Sequence, residues 1–217
     1  MTKLRKNKSY YEDANRTAQN ISKEIEDGLK ILNKVDRKIV TIFGSHAVQQ
    51  TGKYYKHCEE TAYQLGLKKY AIVTGGGPGI MEAANTGATR AKTISIGFKA
   101  KLLRKEQHGK DNIFTEQFSF TFLLARRFSL AIKSNALIFY PGGYGTLNEL
   151  FEYLTLIQTG MTDPVPLICV HKKYWDGMFD WLKNHTLKEG FINKEQLNHI
   201  YFADTPKEVV KIIDKKR

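Results

Sequence analysis

The chain has 217 residues, enough for one α/β domain with a sizeable core, and its 41% apolar content is ordinary for a globular protein. It contains no run of about 18 apolar residues, and no apolar stretch follows the basic N-terminus, so the sequence predicts neither a membrane span nor a secretory signal. The formal net charge of +12 fits either a solvated lysine-rich surface or attraction to nucleotides and nucleic acids, but no RNA- or DNA-binding motif indicates specific nucleic-acid recognition.

The first part of the chain, residues 1–36, is predicted to form an N-terminal helical extension. Its apolar residues recur at spacings of three and four, the period of a helix with one apolar stripe. They are Tyr11, Ala14, Ala18, Ile21, Ile25, Leu29 and Leu32. Such a stripe must pack on another surface, and the sequence leaves open whether that surface belongs to the same domain or to a second subunit.

Residues 37–217 are predicted to form one Rossmann-like nucleotide-binding domain, because short β-branched runs alternate with helical periodicity. Strands are expected at 37–45, 70–74, 93–98, 135–140, 165–170 and near 199–202. Helices are expected at 52–67, 80–91, 146–158, 174–188 and 205–215, with a strand or turn leading into a helix at 118–133. Residues 99–117 are polar and aperiodic, so they are predicted to be a loop with a short strand or helix inside it. This alternation implies an α/β fold with a doubly wound parallel sheet, covered on both faces.

The two cysteines, Cys58 and Cys169, lie in a predicted helix and a predicted strand. Both are interpreted as reduced thiols of a cytoplasmic protein. The six histidines are scattered and form no Cys/His cluster with metal-ligand spacing, so no metal site is predicted.

Three predicted strands end in turns that contain glycine, at 44–46, 75–79 and 141–146. In a doubly wound sheet, ligands bind beyond the carboxyl ends of the strands. Glycine lets a phosphate approach the backbone amides, and the helix that follows adds free N–H groups and a positive dipole end. The predicted phosphate- and ribose-binding residues are Ser45 and Thr146, for their hydroxyl groups, and the glycines Gly75, Gly76, Gly77, Gly79, Gly142, Gly143 and Gly145.

These turns do not match the fingerprints of the commonest nucleotide-binding folds. Ile80 occupies the place of the third glycine of GxGxxG, and the sequence contains no GxxxxGK[ST] motif. The residues therefore favour a mononucleotide or sugar-phosphate site over a dinucleotide site or a P-loop.

Two glutamates after the turn at 141–146 and two arginines earlier in the chain are candidates for chemistry. Glu149 lies three residues after Thr146, where it could cap its own helix, hydrogen-bond a ribose or orient water. Glu152 follows one turn later, and packing or exposure is its simpler interpretation. Arg126 and Arg127 lie in an apolar helical pattern, where a guanidinium needs a carboxylate or phosphate partner. An intramolecular ion pair for one arginine is the alternative to ligand binding.

The segments TGGGPGIMEAAN at 74–85 and PGGYGTLNE at 141–149 together resemble the Lonely Guy (LOG) family, long described as possible lysine decarboxylases. The family hallmark PGGxGTxxE is matched at every fixed position. The family also has an arginine, usually followed by lysine, one helix before the hallmark. Arg126 stands at this place, and Arg127 replaces the lysine. FGS at 43–45 is similar to the family's first phosphate-side turn, and the resemblance spans about residues 37–210.

The resemblance implies a phosphoribohydrolase in which water cleaves the N-glycosidic bond of cytokinin riboside 5′-monophosphates, often of AMP as well, giving free base and ribose 5-phosphate. It assigns ribose binding or water activation to Glu149, and contact with the phosphate or the departing base to Arg126. Arg127, in place of the family's lysine, is expected among the phosphate-binding residues. The scheme requires no cofactor and no metal. It also implies a homo-oligomer, a dimer or larger, with active sites near the subunit interface. Lysine decarboxylation would ordinarily need pyridoxal phosphate on a lysine, and no signature marks one.

Two other functions stay open at this point. A non-catalytic nucleotide or molybdenum-cofactor carrier could use the same fold, although the presence of both Arg126 and Glu149 favours an enzyme. A basic nucleic-acid-associated protein is the third possibility. The long first helix departs from the shortest family members and leaves open whether prenylated or plain AMP is preferred. Arg127 in place of lysine keeps the charge but changes the donor geometry, and Asn148 stands at a non-hallmark position where little effect is expected.

Overall fold

The structure, a computed structural model, describes residues 13–101 and 111–215. Within these residues, parallel strands form one seven-stranded sheet in the order β4-β3-β2-β1-β5-β6-β7. The strands are β1 (Ile39–Phe43), β2 (Ala71–Thr74), β3 (Ser95–Ala100), β4 (Glu116–Phe120), β5 (Ser134–Phe139), β6 (Leu167–Val170) and β7 (Ile200–Ala203). The chain builds outward from β1 to one edge and then from β5 to the other, which confirms the predicted doubly wound α/β fold.

Helices cover both faces of the sheet. They are α1 (Ala14–Asn33), α2 (Lys53–Leu67), α3 (Ile80–Arg90), α4 (Leu123–Ala131), α5 (Tyr144–Gln158), α6 (Lys172–Trp181) and α7 (Pro206–Lys215). Short 3₁₀ turns lie at Asp111–Ile113 and Glu195–Leu197, and a π-helical turn, Leu182–Leu187, extends α6.

Alternation along the central strands divides the core into two layers. Phe43 and Phe139 point to one face, where they stack with ring centroids 5.0 Å apart and join a cluster that includes residues of α1, α4, α5 and α6. Ile42 and Ile138 point to the other face and join residues of α2, α3 and α7. Because both faces are covered, β1, β2 and β6 are buried along their whole length, as parallel strands require.

Most predicted elements are found within one to three residues of the expected bounds. Below, the turn at 75–79 is called the first glycine turn and the turn at 141–146 the second glycine turn. Helix α5 begins within the second glycine turn, at Tyr144 and so earlier than expected, because Gly143 serves as its N-cap. The predicted loop at 99–117 was partly wrong: β3 continues to Ala100, and Glu116–Phe120 pairs with it as the edge strand β4. Residues 102–110 of that prediction lie outside the described residues.

The N-terminal helix packs on the domain's own surface, chiefly against α4 and β4. Ile31 and Leu32 enter the core beside the sheet, whereas Ala14 and Ala18 of the predicted stripe are exposed. Glu24 and Gly28 are buried instead. The stripe prediction was wrong at Ala14 and Ala18, because the core contacts of the described part of this helix begin at Ile21. Tyr11, the first residue of the predicted stripe, lies outside the described residues. The predicted domain division between residues 36 and 37 stays a prediction.

Among the described helices, none is both long enough and apolar enough to cross a membrane. The predicted cytoplasmic location stays a prediction.

Helices α2 and α3 pack closely where Gly87 meets the backbone of α2. A Cβ atom at Gly87 would overlap the carbonyl oxygen of Glu59 and lie 2.9 Å from the amide nitrogen of Tyr63. We expect Gly87→Ala to lower the free energy of unfolding by about 2 kcal/mol or more, because backbone on the facing helix cannot move aside cheaply. Urea unfolding measures this loss.

The matched control is Gly177→Ala in α6, where an added Cβ would meet no heavy atom within 4 Å. This substitution should raise the free energy of unfolding by about 0.5–1 kcal/mol, through the better helix propensity of alanine. Equal effects of the two substitutions would contradict the close α2–α3 contact.

Candidate active site

The candidate site lies where the direction of strand order reverses, between β1 and β5. The amide of Tyr140 donates to the carbonyl of Phe43 at 2.9 Å, and the amide of Ser45 donates to the carbonyl of Pro141 at 3.2 Å. Beyond these bonds, the segments that follow β1 and β5 separate toward helices on opposite faces of the sheet. A crevice must open at such a point, and it is where doubly wound proteins bind ligands.

A cleft of about 470 Å³ opens there. Of the predicted site residues it is lined by Ser45, Gly75, Arg126, Arg127, Gly143, Gly145, Thr146 and Glu149. Not in its lining are the predicted glycines Gly76, Gly77, Gly79 and Gly142.

The first glycine turn owes its glycines to packing. A Cβ at Gly75 would lie 2.7 Å from the sulfur of Met81 and would overlap the guanidinium of Arg126. Gly79 has a φ of 69° and abuts the backbone of Ser45 and His46, so a side chain is excluded twice over. The turn therefore leaves space for Arg126 and fits against the end of β1. Of its glycines, Gly75 lines the cleft, and the others support the cleft wall without lining it.

Side chains fix the conformation of this turn. The hydroxyl of Thr74 hydrogen-bonds the side chain of Asn85 and accepts the amide of Gly76 at 3.0 Å. Asn85 in turn donates to the hydroxyl of Ser95 at 2.9 Å. The first and last residues of the segment TGGGPGIMEAAN thus hold the turn against β3.

The second glycine turn is built differently. Gly142 backs against the buried side chain of Thr146, but a Cβ at Gly143 or Gly145 would meet no heavy atom within 4 Å. Neither of these two has a positive φ. Packing and backbone conformation therefore require no glycine at either position, and what remains is bare backbone facing the cleft. Helix α5 starts here, with no side-chain cap at Gly143 and no acidic residue in its first turn, which suits a bound anion.

Arg126 is a buried cation at the carboxyl ends of β2 and β3, only 6% exposed. Its Nε donates to the carbonyl of Phe98 at 2.6 Å, and one terminal nitrogen donates to the carbonyl of Gly75 at 3.0 Å. These neutral acceptors orient the guanidinium rigidly along the cleft wall. A rigid guanidinium is well suited to meeting phosphate or a polar base edge.

Arg127 points to the neighbouring helix. Its Nε lies 2.9 Å from a carboxylate oxygen of Glu152, and a terminal nitrogen donates to Asn148 at 2.7 Å. The hydroxyl of Tyr153 donates to the backbone carbonyl of Arg127 at 3.0 Å. The intramolecular ion pair considered for one arginine is therefore found at Arg127, where it ties α4 to α5, and its phosphate contact stays a prediction.

Glu149 is half-buried in the cleft wall, one turn after Thr146. Tyr153, which joins α5 to α4, has a pKa well above its usual value. Burial is the main cause, and the negative charges of Glu152 and Glu149 raise this pKa further. Tyr153 thus stays protonated as a donor beside the site.

Three lining side chains that the sequence analysis did not single out, Met81, Leu123 and Tyr144, have a common origin. Each is the first or second residue of a helix that follows a strand end. Tyr144 is 93% exposed although it is aromatic. Position on the first helical turn after a strand is the sequence signal that could have found them.

The second turn rests on a cluster of aromatic and histidine side chains behind it. Tyr140, which precedes the turn, donates to the hydroxyl of Thr61 at 2.9 Å and lies 2.8 Å from Nδ1 of His57. The ring centroid of His171 lies 4.8 Å from that of His57, with the two ring planes tilted by 56°. His171 is the N-cap of α6. Tyr174, in the first turn of this helix, donates to the carbonyl of Gly142 at 2.5 Å.

The fold and the cleft define a doubly wound α/β protein whose candidate site lies at its switch point. The model of the family described as "Possible lysine decarboxylase" matches residues 81–213, more than half of the chain, and the chain belongs to this family, the LOG family.

Two curated relatives are named as phosphoribohydrolases. The chain is 28% identical over 177 residues, 81% of each protein, to the cytokinin riboside 5′-monophosphate phosphoribohydrolase LOG4 of Arabidopsis thaliana. It is 29% identical over 191 residues to the probable phosphoribohydrolase LOG6 of the same plant, covering 86% of this chain and 94% of the relative.

A solved structure shares the fold. The molybdenum cofactor binding protein of the phototrophic bacterium Rippkaea orientalis superposes with a TM-score of 0.62 at 22% identity, over 83% of this chain and 98% of that protein.

The histidine cluster predicts a pH-dependent stability. Burial lowers the pKa of His57 and of His171, and the neighbouring His57 lowers that of His171 further. Since unfolded histidine titrates near 6.5, the unfolded state takes up these protons first as pH falls. The stability that the two neutral histidines contribute is present above pH 6.5 and is lost as the pH falls below it. The free energy of unfolding, measured with urea, should therefore fall between pH 7 and about pH 5.

The control is His57→Gln, which keeps a polar side chain but does not titrate. Its free energy of unfolding should fall less steeply over the same interval, and should run parallel to that of the wild type above about pH 7.5. Identical slopes for both proteins below pH 6.5 would contradict the assignment to this cluster.

Proposed function

We propose that this protein hydrolyses the N-glycosidic bond of a purine nucleoside 5′-monophosphate, of the cytokinin type or AMP, and releases the free base and ribose 5-phosphate. The observation that carries the proposal is the composition of the cleft: bare backbone at the start of α5 beside Arg126 and Glu149. An anion site, a fixed guanidinium and a carboxylate are the groups that this reaction needs.

The phosphate would bind at the start of α5. Gly143 and Gly145 leave the backbone accessible there, and the positive end of the helix dipole favours an anion. The hydroxyl oxygen of Ser45 accepts the amide of Ala47 at 3.1 Å, which leaves the hydroxyl proton for a phosphate oxygen. Thr146 is buried at the same end of the cleft.

The carboxylate of Glu149 would act on the sugar. As the bond between C1′ and the base nitrogen breaks, positive charge grows at C1′, and a nearby carboxylate stabilises it. Glu149 either holds the ribose hydroxyls or takes a proton from the attacking water, whose oxygen becomes the new C1′ hydroxyl. The departing base gains a proton. Arg126 would contact the phosphate or this base and organise Glu149.

The relatives support glycosidic cleavage, because they are named as phosphoribohydrolases of cytokinin riboside monophosphates. The residues give no support to lysine decarboxylation, since a pyridoxal phosphate enzyme ordinarily binds that group through a lysine. Among the described residues, the basic side chains lining the cleft are His46 and the two arginines, Arg126 and Arg127.

A non-catalytic carrier is the second candidate, favoured by the fold shared with a molybdenum cofactor binding protein. The two candidates differ in one measurable respect. A carrier would bind its ligand at the cleft and leave it intact, whereas the hydrolase would release a free base.

The test is incubation of the purified protein with AMP and with isopentenyladenosine monophosphate, followed by chromatography of the free base. We expect wild-type turnover of at least one substrate. Glu149→Gln should lower kcat by about 100-fold or more, because the amide neither accepts a proton nor offsets charge at C1′.

Glu152→Gln is the matched control, since Glu152 lies on the same helix but is paired with Arg127. It should retain kcat within about fivefold, as expected for a half-exposed ion pair. If the wild type releases no base from either substrate, the hydrolase proposal is wrong. Binding of an intact ligand would then favour the carrier.

We also propose that the protein forms a homodimer through α4 and α5. Exposed large apolar side chains cluster on the outer sides of these two helices, next to the cleft: Leu124, Phe128, Ile132 and Phe151. Leu124, Phe128 and Ile132, the C-cap of α4, recur every four residues and therefore share one side of that helix. Several exposed large apolar side chains on one side of a helix favour an interaction site. A second copy packed here would bring the subunit interface beside the cleft, in agreement with the oligomer that the family resemblance implies.

Phe128→Asp should convert the dimer to a monomer in light scattering coupled to gel filtration, since a buried unpaired carboxylate at an interface is costly. The control is Leu67→Asp, which places the same charge on an exposed leucine of α2 on the opposite face of the sheet. A monomeric wild type, or a dimer unaffected by Phe128→Asp, would contradict this interface.

A further inference from the structure

The second half of α1 crosses the start of α4, the helix that carries Arg126. We propose that Glu24 of α1 is a positioning residue for Arg126: its carboxylate fixes the place where α4 begins and thereby the guanidinium in the cleft. This inference rests on the proposed function, because it concerns the same site.

The carboxylate of Glu24 binds the turn from β4 into α4 with both oxygens. One oxygen accepts the amide of Thr121 at 2.7 Å and the other accepts the amide of Phe122 at 3.0 Å. Glu24 is only 9% exposed. The N-cap residue of α4, Phe122, has no side chain that could cap the helix, so a carboxylate from another helix fulfils this role. Its negative charge also lies at the positive end of the α4 dipole.

Arg126 lies one helical turn beyond the residues that Glu24 holds. Its amide donates to the carbonyl of Phe122 at 3.1 Å, closing the first turn of α4. Its side chain then reaches Phe98 and Gly75 with bonds of 2.6 Å and 3.0 Å. A buried side chain anchored at its far end by two short bonds tolerates little movement at its near end, so a shifted helix start would break or reorient them.

A second contact keeps α1 at the right distance. One turn after Glu24, Gly28 lies so close to α4 that a Cβ there would stand 2.5 Å from the hydroxyl of Ser129. The two helices therefore meet at two successive turns, and Arg126 lies between the two contact points in the α4 sequence. This approach brings the carboxylate within reach of the β4–α4 turn.

The experiment is a double-mutant cycle between Glu24→Ala and Arg126→Ala, measured as kcat/KM for the substrate that the wild type hydrolyses. Glu24→Ala alone should lower kcat/KM by about 10- to 100-fold at a temperature where the protein is fully folded, because a misplaced catalytic group costs that much. Glu24→Gln should recover part of the loss, since its amide oxygen still accepts one N–H. In the Arg126→Ala background, Glu24→Ala should change kcat/KM by less than about twofold.

The matched control is Asp13→Ala. Asp13 caps the start of the same helix, accepting the amide of Arg16 at 3.1 Å, but lies at the end of α1 remote from α4. It should leave kcat/KM within about twofold of the wild type. Wild-type kinetics in Glu24→Ala, or an equal loss in both backgrounds, would overturn the positioning role.

Failure of the proposed function is recognised separately, by a wild type that releases no base. In that case the affinity for AMP is measured by calorimetry for the wild type and for the single and double variants of the same cycle. A crystal structure of Glu24→Ala decides the positioning role in either case: displaced bonds from Arg126 to Phe98 and Gly75 support it, and unchanged bonds overturn it.

Discussion

The parallel pairing of β1 with β5 governs the rest of the architecture. These two strands are neighbours in the sheet but far apart in the chain, and the helices that follow them leave toward opposite faces. The hydrogen bonds between Tyr140 and Phe43 and between Ser45 and Pro141 hold the strand ends together up to the point of divergence. Everything that lines the cleft is placed relative to this seam: the start of α5 on one side, and the Gly75 turn with Arg126 on the other.

The wall on the α4 side depends on contacts with the sheet, with α5 and with α1. Arg126 is fixed by carbonyl groups at the ends of β2 and β3, whereas Arg127, the next residue, is fixed by α5 through Glu152 and Asn148. Glu24 holds the start of the same short helix from α1. A helix of nine residues is too short to be stable by itself, so these contacts determine its position. The N-terminal helix is therefore part of the support of the site, even though it lies outside the alternating strands and helices.

The sequence predicted the sheet well because its inner strands are short, mostly apolar runs followed by glycine, as at 39–43 and 71–74. It also predicted that the glycine turns and Glu149 would meet, because parallel strands place their carboxyl ends at one edge. The place of Arg126 at the site was implied by the family resemblance. It did not distinguish Arg126 from Arg127, since adjacent residues of equal chemistry differ only in which neighbour they face. Glu24 was missed for a similar reason. A carboxylate on a helix rich in charged residues indicates solvent exposure, and its partners at 121 and 122 are distant in the chain.

The two glycine turns show opposite relations between a residue and the fold. In the first, side chains are excluded by neighbouring atoms at Gly75 and Gly79, so folding alone accounts for the residue type. In the second, open space surrounds Gly143 and Gly145. Packing therefore accounts for the glycines of the first turn, whereas the proposed anion site accounts for Gly143 and Gly145 in the second. Under the proposed function, substitution of these two glycines would remove the anion site while every strand and helix stays in place. The ability to bind could then disappear in a descendant of this protein without any loss of structure to reveal it.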